Sequence, residues 1–265
     1  MRALIDYYYA QLKNTFAIQA QYRVALIIWL IGTVLQPVIY LVVWTTVAQA
    51  GAVGGYTAGD FAAYFIVLML VDHLTFSWIF YEFEHRVRQG ALSPLLLRPL
   101  HPIHKDIADN ITYKLLTLPV LLSAAVLMAL AFRPAFETSG WALALFIPAL
   151  LLGFAVRFVV EWTLGLAAFW TTRVSALNHL YYVAVLFLSG QIAPLSLFPE
   201  PIRVAAALLP FRWTVAFPVE LLIGRLSFEA ALQGLAAQLV WLVLGLLLLW
   251  RTWRAGVRRY SAVGA

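Results

Sequence analysis

The chain has no cysteine and very little charge. Of its 265 residues, 11% are Asp, Glu, Lys or Arg and 63% are hydrophobic. Without cysteine there is no disulfide framework, iron–sulfur cluster or thiolate metal site. With so little charge no stretch can coat a water-soluble domain, in keeping with a mean hydropathy of +0.87. Lysine is scarce as well: Lys13, Lys105 and Lys114 follow Leu12, His104 and Tyr113, so no Gly-Lys pair exists. A phosphate-cradling loop needs glycines for close backbone approach and a lysine to reach the phosphates, so the chain does not hydrolyse ATP by that route. No nucleophile-elbow pattern occurs. The histidines are His73, His85, His101, His104 and His179. His101 and His104 make at most a weak metal pair in a proline-broken loop, and a site needs three or four converging ligands.

What fills the chain instead is a series of apolar runs long enough to cross a bilayer, for which a helix needs about 20 residues. Backbone polar groups in lipid must be satisfied within the segment, so such runs become helices. Six are expected: Val24–Val47, Phe61–Tyr81, Ile107–Phe132, Trp141–Trp170, Leu177–Leu195 and Ala230–Trp253. Residues 1–23 alternate aromatic and polar groups, with Leu4, Ile5, Tyr8, Leu12, Phe16 and Gln19 at helical spacing. They read as a retained amphipathic helix in the membrane interface, not as a cleaved leader. The net charge of +6 points to topology, not nucleic acid. Lys13, Arg86, Arg88, Arg98, Lys105, Lys114, Arg173, Arg251, Arg254, Arg258 and Arg259 share one side with Arg2 and Arg23. Only Arg133, Arg203, Arg212 and Arg225 fall on the other. The excess places both termini in the cytoplasm. Most tryptophans fall near span ends, where an interfacial belt accounts for them. The basic tail RTWRAGVRRY suits anionic lipid headgroups.

Two connecting regions are too broken to span. Residues 86–104 carry a short apolar core, Leu92 to Leu97, cut by Gly90, Pro94, Pro99 and Pro102. This reads as a stubby surface helix. Residues 190–229, cut by Pro194, Pro199, Pro201, Pro210 and Pro218, hold two apolar units, Ile202–Leu209 and Thr214–Ile223. These read as re-entrant half-helices on the external side, where irregular backbone is shielded by protein. Within the spans, Arg157 and Glu161 lie four residues apart and can pair on one helix face. Charge in hydrocarbon is costly, so such groups pair or face a cavity. The pair has two readings, a pathway contact or a self-neutralised packing element. Asp72 and His73 point about 100° apart on their helix. Asp72 is expected to accept from a Ser or Thr nearby, or from His73 of a partner permease. Phe65, Phe76, Trp78, Phe80, Tyr81, Tyr181, Tyr182 and Phe187 are candidates to line an amphipathic pathway.

The loop RVRQGALSPLLLRPLHP is similar to a pattern of Arg, then Gly-x-Leu, then Leu-Leu-x-Arg-Pro. The stretch SGQIAPLSLFPEPIRVAAALLPF is similar to a Gly-x-x-x-Pro, Phe-Pro, Leu-Pro-Phe pattern, followed by AFPVELLIGRLS. In this order, behind an amphipathic first helix, they resemble the ABC-2 family of ABC-transporter permeases, in the bacterial branch with paired permeases. The resemblance covers nearly the whole chain and implies an all-α polytopic fold forming one transmembrane domain over residues 1–265 in the bacterial inner membrane. It implies a second permease copy or sister permease, and cytoplasmic ABC ATPase subunits that bind ATP and Mg. It implies a coupling helix at Gly90–Leu97 that contacts the ATPase, with Arg86, Arg88, Gly90, Leu92, Pro94, Leu95, Leu96 and Arg98 as the contact set. The turn Trp170–Ala176 is a second candidate contact. Gly190, Pro194, Pro199, Pro210, Phe211 and Pro218 mark the external region. The expected function is export of an amphipathic or lipid-like molecule. The alternatives are an ion-coupled transporter using Asp72, Arg157 and Glu161, and a membrane scaffold. No cofactor or metal is expected in this chain itself, and no nucleic acid.

Overall fold

Twelve helices follow one another in a computed structural model that describes residues 2–171 and 174–260. They are α1 (Arg2–Gln21), α2 (Arg23–Ala48), α3 (Ala58–Thr75), α4 (Ile79–Arg88), α5 (Ser93–Leu96), α6 (Ile103–Phe132), α7 (Gly140–Gly165), α8 (Ser175–Leu188), α9 (Glu200–Leu208), α10 (Pro210–Thr214), α11 (Ala216–Leu222) and α12 (Phe228–Val257). Five stretches are long and apolar enough to cross a membrane: Ile27–Ala48, Ala58–Arg88, Ile103–Phe132, Gly140–Phe169 and Phe228–Val257. The chain is a multi-pass membrane protein. The expected fifth span is a shorter apolar helix, α8, of 14 residues, about 21 Å at 1.5 Å per residue.

The second span is the buried centre of the bundle. Phe61, Tyr64, Phe65, Met69 and Val71 of α3 pack against α2, α6, α7 and α11. A capping box starts it: the Thr57 side chain accepts from the Asp60 amide while Asp60 accepts from the Thr57 amide. Asp60 also pairs with Arg225 at 2.6 Å, binding the start of α3 to the segment before α12.

This span is expected to run unbroken from Phe61 to Tyr81, but it breaks at residues 76–78. Local hydrogen bonding explains the break. Thr75 Oγ1 donates back to the Val71 carbonyl at 2.9 Å, the Ser77 hydroxyl accepts from the Ile79 amide at 3.3 Å, and Lys114 Nζ donates to the Phe76 carbonyl at 2.8 Å. Backbone groups freed by the break thus find partners inside the protein, which membrane-buried irregular chain requires.

Long helices α7 and α12 pack along each other, with Gly245 of α12 close against Val159 of α7, and other glycines of α12 admit rings from neighbouring elements. At Gly234 an added Cβ would collide with the Phe217 ring, and at Gly256 with the Phe169 ring. Gln238 of α12, fully buried, donates to the carbonyls of Ala149 (2.8 Å) and Trp213 (2.7 Å).

Both ends of the described chain meet at one end of the bundle. There α1 lies on the start of α6, with Tyr8 bonded to His104 Nδ1 at 3.0 Å and Thr15 donating to Asp109 at 2.6 Å. Tyr260 pairs with Ser93 at 2.9 Å. The side of α1 that faces α6 is therefore mostly polar. Tyr8, Leu12 and Gln19 of the expected stripe lie on it, while Ile5 and Phe16 point outward with Tyr9 and Ile18. At the opposite end α9, α10 and α11 form a cap of short helices. The expected two external units are thus three, because Pro210 starts a separate turn after the extended Leu209.

Candidate functional site

A polar cluster forms where α3, α7 and α8 face one another inside the apolar bundle. Arg157 and Glu161, one helical turn apart on α7, pair at 3.0 Å. The same guanidinium reaches Asp72 Oδ1 at 2.7 Å and Thr75 Oγ1 at 3.1 Å, and lies over the Phe76 ring at 5.3 Å. From α8, Tyr181 donates to Glu161 at 3.1 Å, and Gln191, just beyond α8, donates to Asp72 Oδ1 at 2.7 Å. The i, i+4 spacing on α7 foretold the first of these pairs. The contacts with Asp72, Tyr181 and Gln191 join residues 20 to 119 positions apart, and local spacing carries no trace of them.

Asp72 and His73 diverge as adjacent helical positions must. Within the chain Asp72 takes its bonds from Arg157 and Gln191 and not from a Ser or Thr. His73 turns the other way, buried, with Nε2 at 2.8 Å from Thr117 Oγ1. Lys114, which the sequence counts among surface cations, is buried in the bundle. Its Nζ holds the Phe76 carbonyl and Asn110 Oδ1 (3.2 Å) and sits over the Phe154 ring at 4.7 Å.

Beside this cluster lies a cavity of about 320 Å³ flanked by α2, α3 and α8, within the size range of small-molecule sites. Its walls include the aromatic residues Trp29, Tyr40, Phe76, Phe80, Tyr113, Tyr181 and Tyr182, with Asp72, Arg157, Glu161 and Gln191 at the polar side. Four of the expected pathway aromatics line it, namely Phe76, Phe80, Tyr181 and Tyr182. Phe65 belongs to the core around α3.

At the basic end, residues 86–104 divide into inward and outward groups. Gly90 ends α4 with a left-handed φ of 69°, a conformation that suits a residue without a side chain. Arg86 is buried against Asp106 at 2.6 Å and pairs with Glu82, and Leu92 is fully buried with Ile79, Phe83 and Trp162. These two members of the expected contact set are therefore internal. Leu95 and Leu96 are half-buried against the same cluster. Pro94, Leu97 and Arg98 face outward, Leu97 with 88% exposure, and Arg88 is exposed beside Glu84. In the turn Trp170–Ala176, residues 172 and 173 lie outside the described residues.

The network behind this loop was only partly visible in the sequence. Glu82–Arg86 and Lys105–Asp109 (2.6 Å) are i, i+4 pairs. Trp162 is no interfacial belt residue: it is fully buried and donates to Asp106 at 2.9 Å. One oxygen each from Glu82, Asp106 and Asp109 lies within 4.8 Å of the others, and Arg86 and Lys105 form ion pairs with the group. His101 and His104 do not converge. The His101 ring lies tilted against Trp253 at 4.4 Å, and burial followed by the charge of His104 pushes its imidazole below the usual range. His104 faces Tyr8 instead.

At the opposite end, Gly190 adopts φ 83° and its carbonyl accepts from Tyr64 at 2.8 Å. Pro199 caps α9, and Pro194 precedes a single 3-10 turn. Pro210 and Pro218 are buried, and Phe211 meets the Tyr181 ring at 5.8 Å, linking the cap to the polar cluster. A second cavity, of about 290 Å³, holds Tyr56, Arg203, Arg212, Glu220 and Arg225. Its charges are matched within the chain, Arg212 with Glu220 at 3.1 Å and Arg225 with Asp60.

No curated protein and no solved structure matches this chain. The model of the ABC-2 family transporter proteins matches residues 33–264, which takes in the polar cluster, both irregular connecting regions and all of the spans but the start of the first. A bundle of membrane helices without a phosphate loop, broken where its buried charges meet an aromatic cavity, accords with a transport component. By that match the chain belongs to the ABC-2 transporter family.

Proposed function

We propose that the chain is the permease subunit of an ATP-driven exporter of an amphipathic small molecule or lipid-like compound in the bacterial inner membrane. ATP and Mg are bound by separate cytoplasmic ATPase subunits, and a second permease, identical or a sister chain, completes the pathway. The observation that carries this reading is family membership in a chain with no Gly-Lys pair: the transport component lacks the residues for phosphate binding and needs a partner that has them. The end bearing residues 86–104 is cytoplasmic. There α8 completes a sixth crossing, and α9–α11 are re-entrant from the external side. The meeting of α1 and Tyr260 at one end supports an even number of crossings.

ATPase motion enters at the exposed face of the short helix α5 and its flanks, Pro94, Leu97 and Arg98, and passes to the buried Arg86–Asp106 network and so along α4 to the break at residues 76–78. Leu97 tests this. Leu97→Asp changes a side chain that packs against nothing and so leaves folding intact. It is expected to lower coupled transport at least about tenfold in proteoliposomes while the purified permease keeps its thermal midpoint. Full transport in that variant removes the coupling assignment. A purified chain that transports without a nucleotide-binding subunit removes the ATP-driven reading in favour of an ion-coupled one.

A further inference from the structure

Of the two acids that line the aromatic cavity, Asp72 is the more accessible. Both of its hydrogen bonds, from Arg157 and Gln191, go to Oδ1. No described residue bonds Oδ2, and 32% of the side chain remains accessible, against 5% for Arg157 and 1% for Glu161. One guanidinium is shared between the two carboxylates. Lys114 donates to the Phe76 carbonyl and Asn110 and forms no ion pair with Asp72. The charge that the cavity presents is therefore a carboxylate, within the hydrocarbon layer, where an unmatched charge is costly. The walls around it include Trp29, Tyr40, Phe80, Tyr113 and Tyr182, and aromatic rings attract cations through their quadrupoles. A metal ion does not suit one carboxylate among aromatic rings. An anion would meet Asp72 before reaching Arg157.

We propose that this cavity binds an organic cation, an amine, quaternary ammonium or phosphonium group on an aromatic or acyl body, with Asp72 as counter-ion and the aromatic walls around the body. The assignment rests on the permease reading and names the substrate class for it.

The test uses the permease–ATPase complex in lipid nanodiscs. It is titrated with tetraphenylphosphonium and with tetraphenylborate, ions of like shape and opposite charge, each corrected for partition into protein-free nanodiscs. Saturable phosphonium binding is expected, which borate does not displace. Asp72→Asn weakens it by about tenfold or more. Trp29→Ala, on the exposed side of α2, weakens it by about threefold. Should the Asp72 variant fail to assemble, Gln36→Lys brings a cation to the exposed rim of the cavity without touching the buried network and is expected to weaken phosphonium binding about tenfold. Preferential borate binding, no saturable phosphonium binding, or phosphonium affinity unchanged in the variants that assemble each overturn the assignment. Failure of the chain to retain an ATPase sinks the permease reading instead, so the two failures are distinct.

Discussion

Arg157 stands between two carboxylates in the middle of the bundle, and its surroundings decide what its loss does. Removing one partner of a buried ionic group strands the others without charge compensation, at a cost of about 3–5 kcal/mol. Arg157→Met is therefore expected to lower the thermal midpoint in detergent strongly, because Asp72 and Glu161 (2.7 and 3.0 Å away) are left facing each other's charge. Replacing Glu161 as well, as Arg157→Met with Glu161→Gln, is expected to recover more than half of that loss. Equal stability of the single and double variants would show that Arg157 and Glu161 do not act as a pair. Asp106 follows the same logic at the basic end. It is buried between the Arg86 guanidinium and the Trp162 indole, so a residue that looks like an ordinary first-turn acid of α6 is a junction of three helices.

Elements in this protein are shaped by where they can approach and where they must bend. α12 lies close to its neighbours because glycine leaves room for their aromatic rings, Gly234 for Phe217 and Gly256 for Phe169. Gly256→Leu is expected to drive α12 away from Phe169 and to destabilise the bundle by about 1–3 kcal/mol. Gly32→Leu, with open space around its Cβ position, is expected to change stability by less than about 0.5 kcal/mol. Comparison of their thermal midpoints checks the assignment, and a similar loss in both would remove it. The second span bends for a different reason. Thr75 and Ser77 offer the backbone side-chain partners, and Lys114 supplies a donor to the carbonyl that the break exposes. This joins the polar cluster at the end of α3 to the amphipathic α4, whose far end holds Arg86. One discontinuous element thus connects the cavity to the loop at the basic end.

At the scale of the molecule, the distribution of charge is the basis of the proposed orientation, and the meeting of the two chain ends accords with an even number of crossings. The chain has no native cysteine, so single cysteines report topology against a silent background. In the proposed orientation Arg203→Cys, on the exposed part of α9, reacts with a membrane-impermeant maleimide in intact cells, whereas Leu97→Cys reacts only after the inner membrane is opened. Labelling of Leu97→Cys in intact cells would invert the bundle and remove the coupling loop from the side where ATP is available.

Composition and long apolar runs by themselves determined that this is a helical membrane protein with no phosphate loop of its own, and the order of its proline- and glycine-marked connections pointed to its family. These signals were legible because lipid demands about 20 apolar residues per crossing and because proline and glycine act locally. The i, i+4 pairs Arg157–Glu161 and Lys105–Asp109 were legible for the same reason, since a helix brings its own fourth neighbour close. Only the tertiary structure decided that Arg157 also holds Asp72, that Arg86 and Leu92 are internal while Leu97 is free, and that the second span breaks beside a cavity. Those outcomes depend on which side chain a different helix presents at the same depth, and an apolar sequence in which nearly every face can be buried does not encode that choice locally.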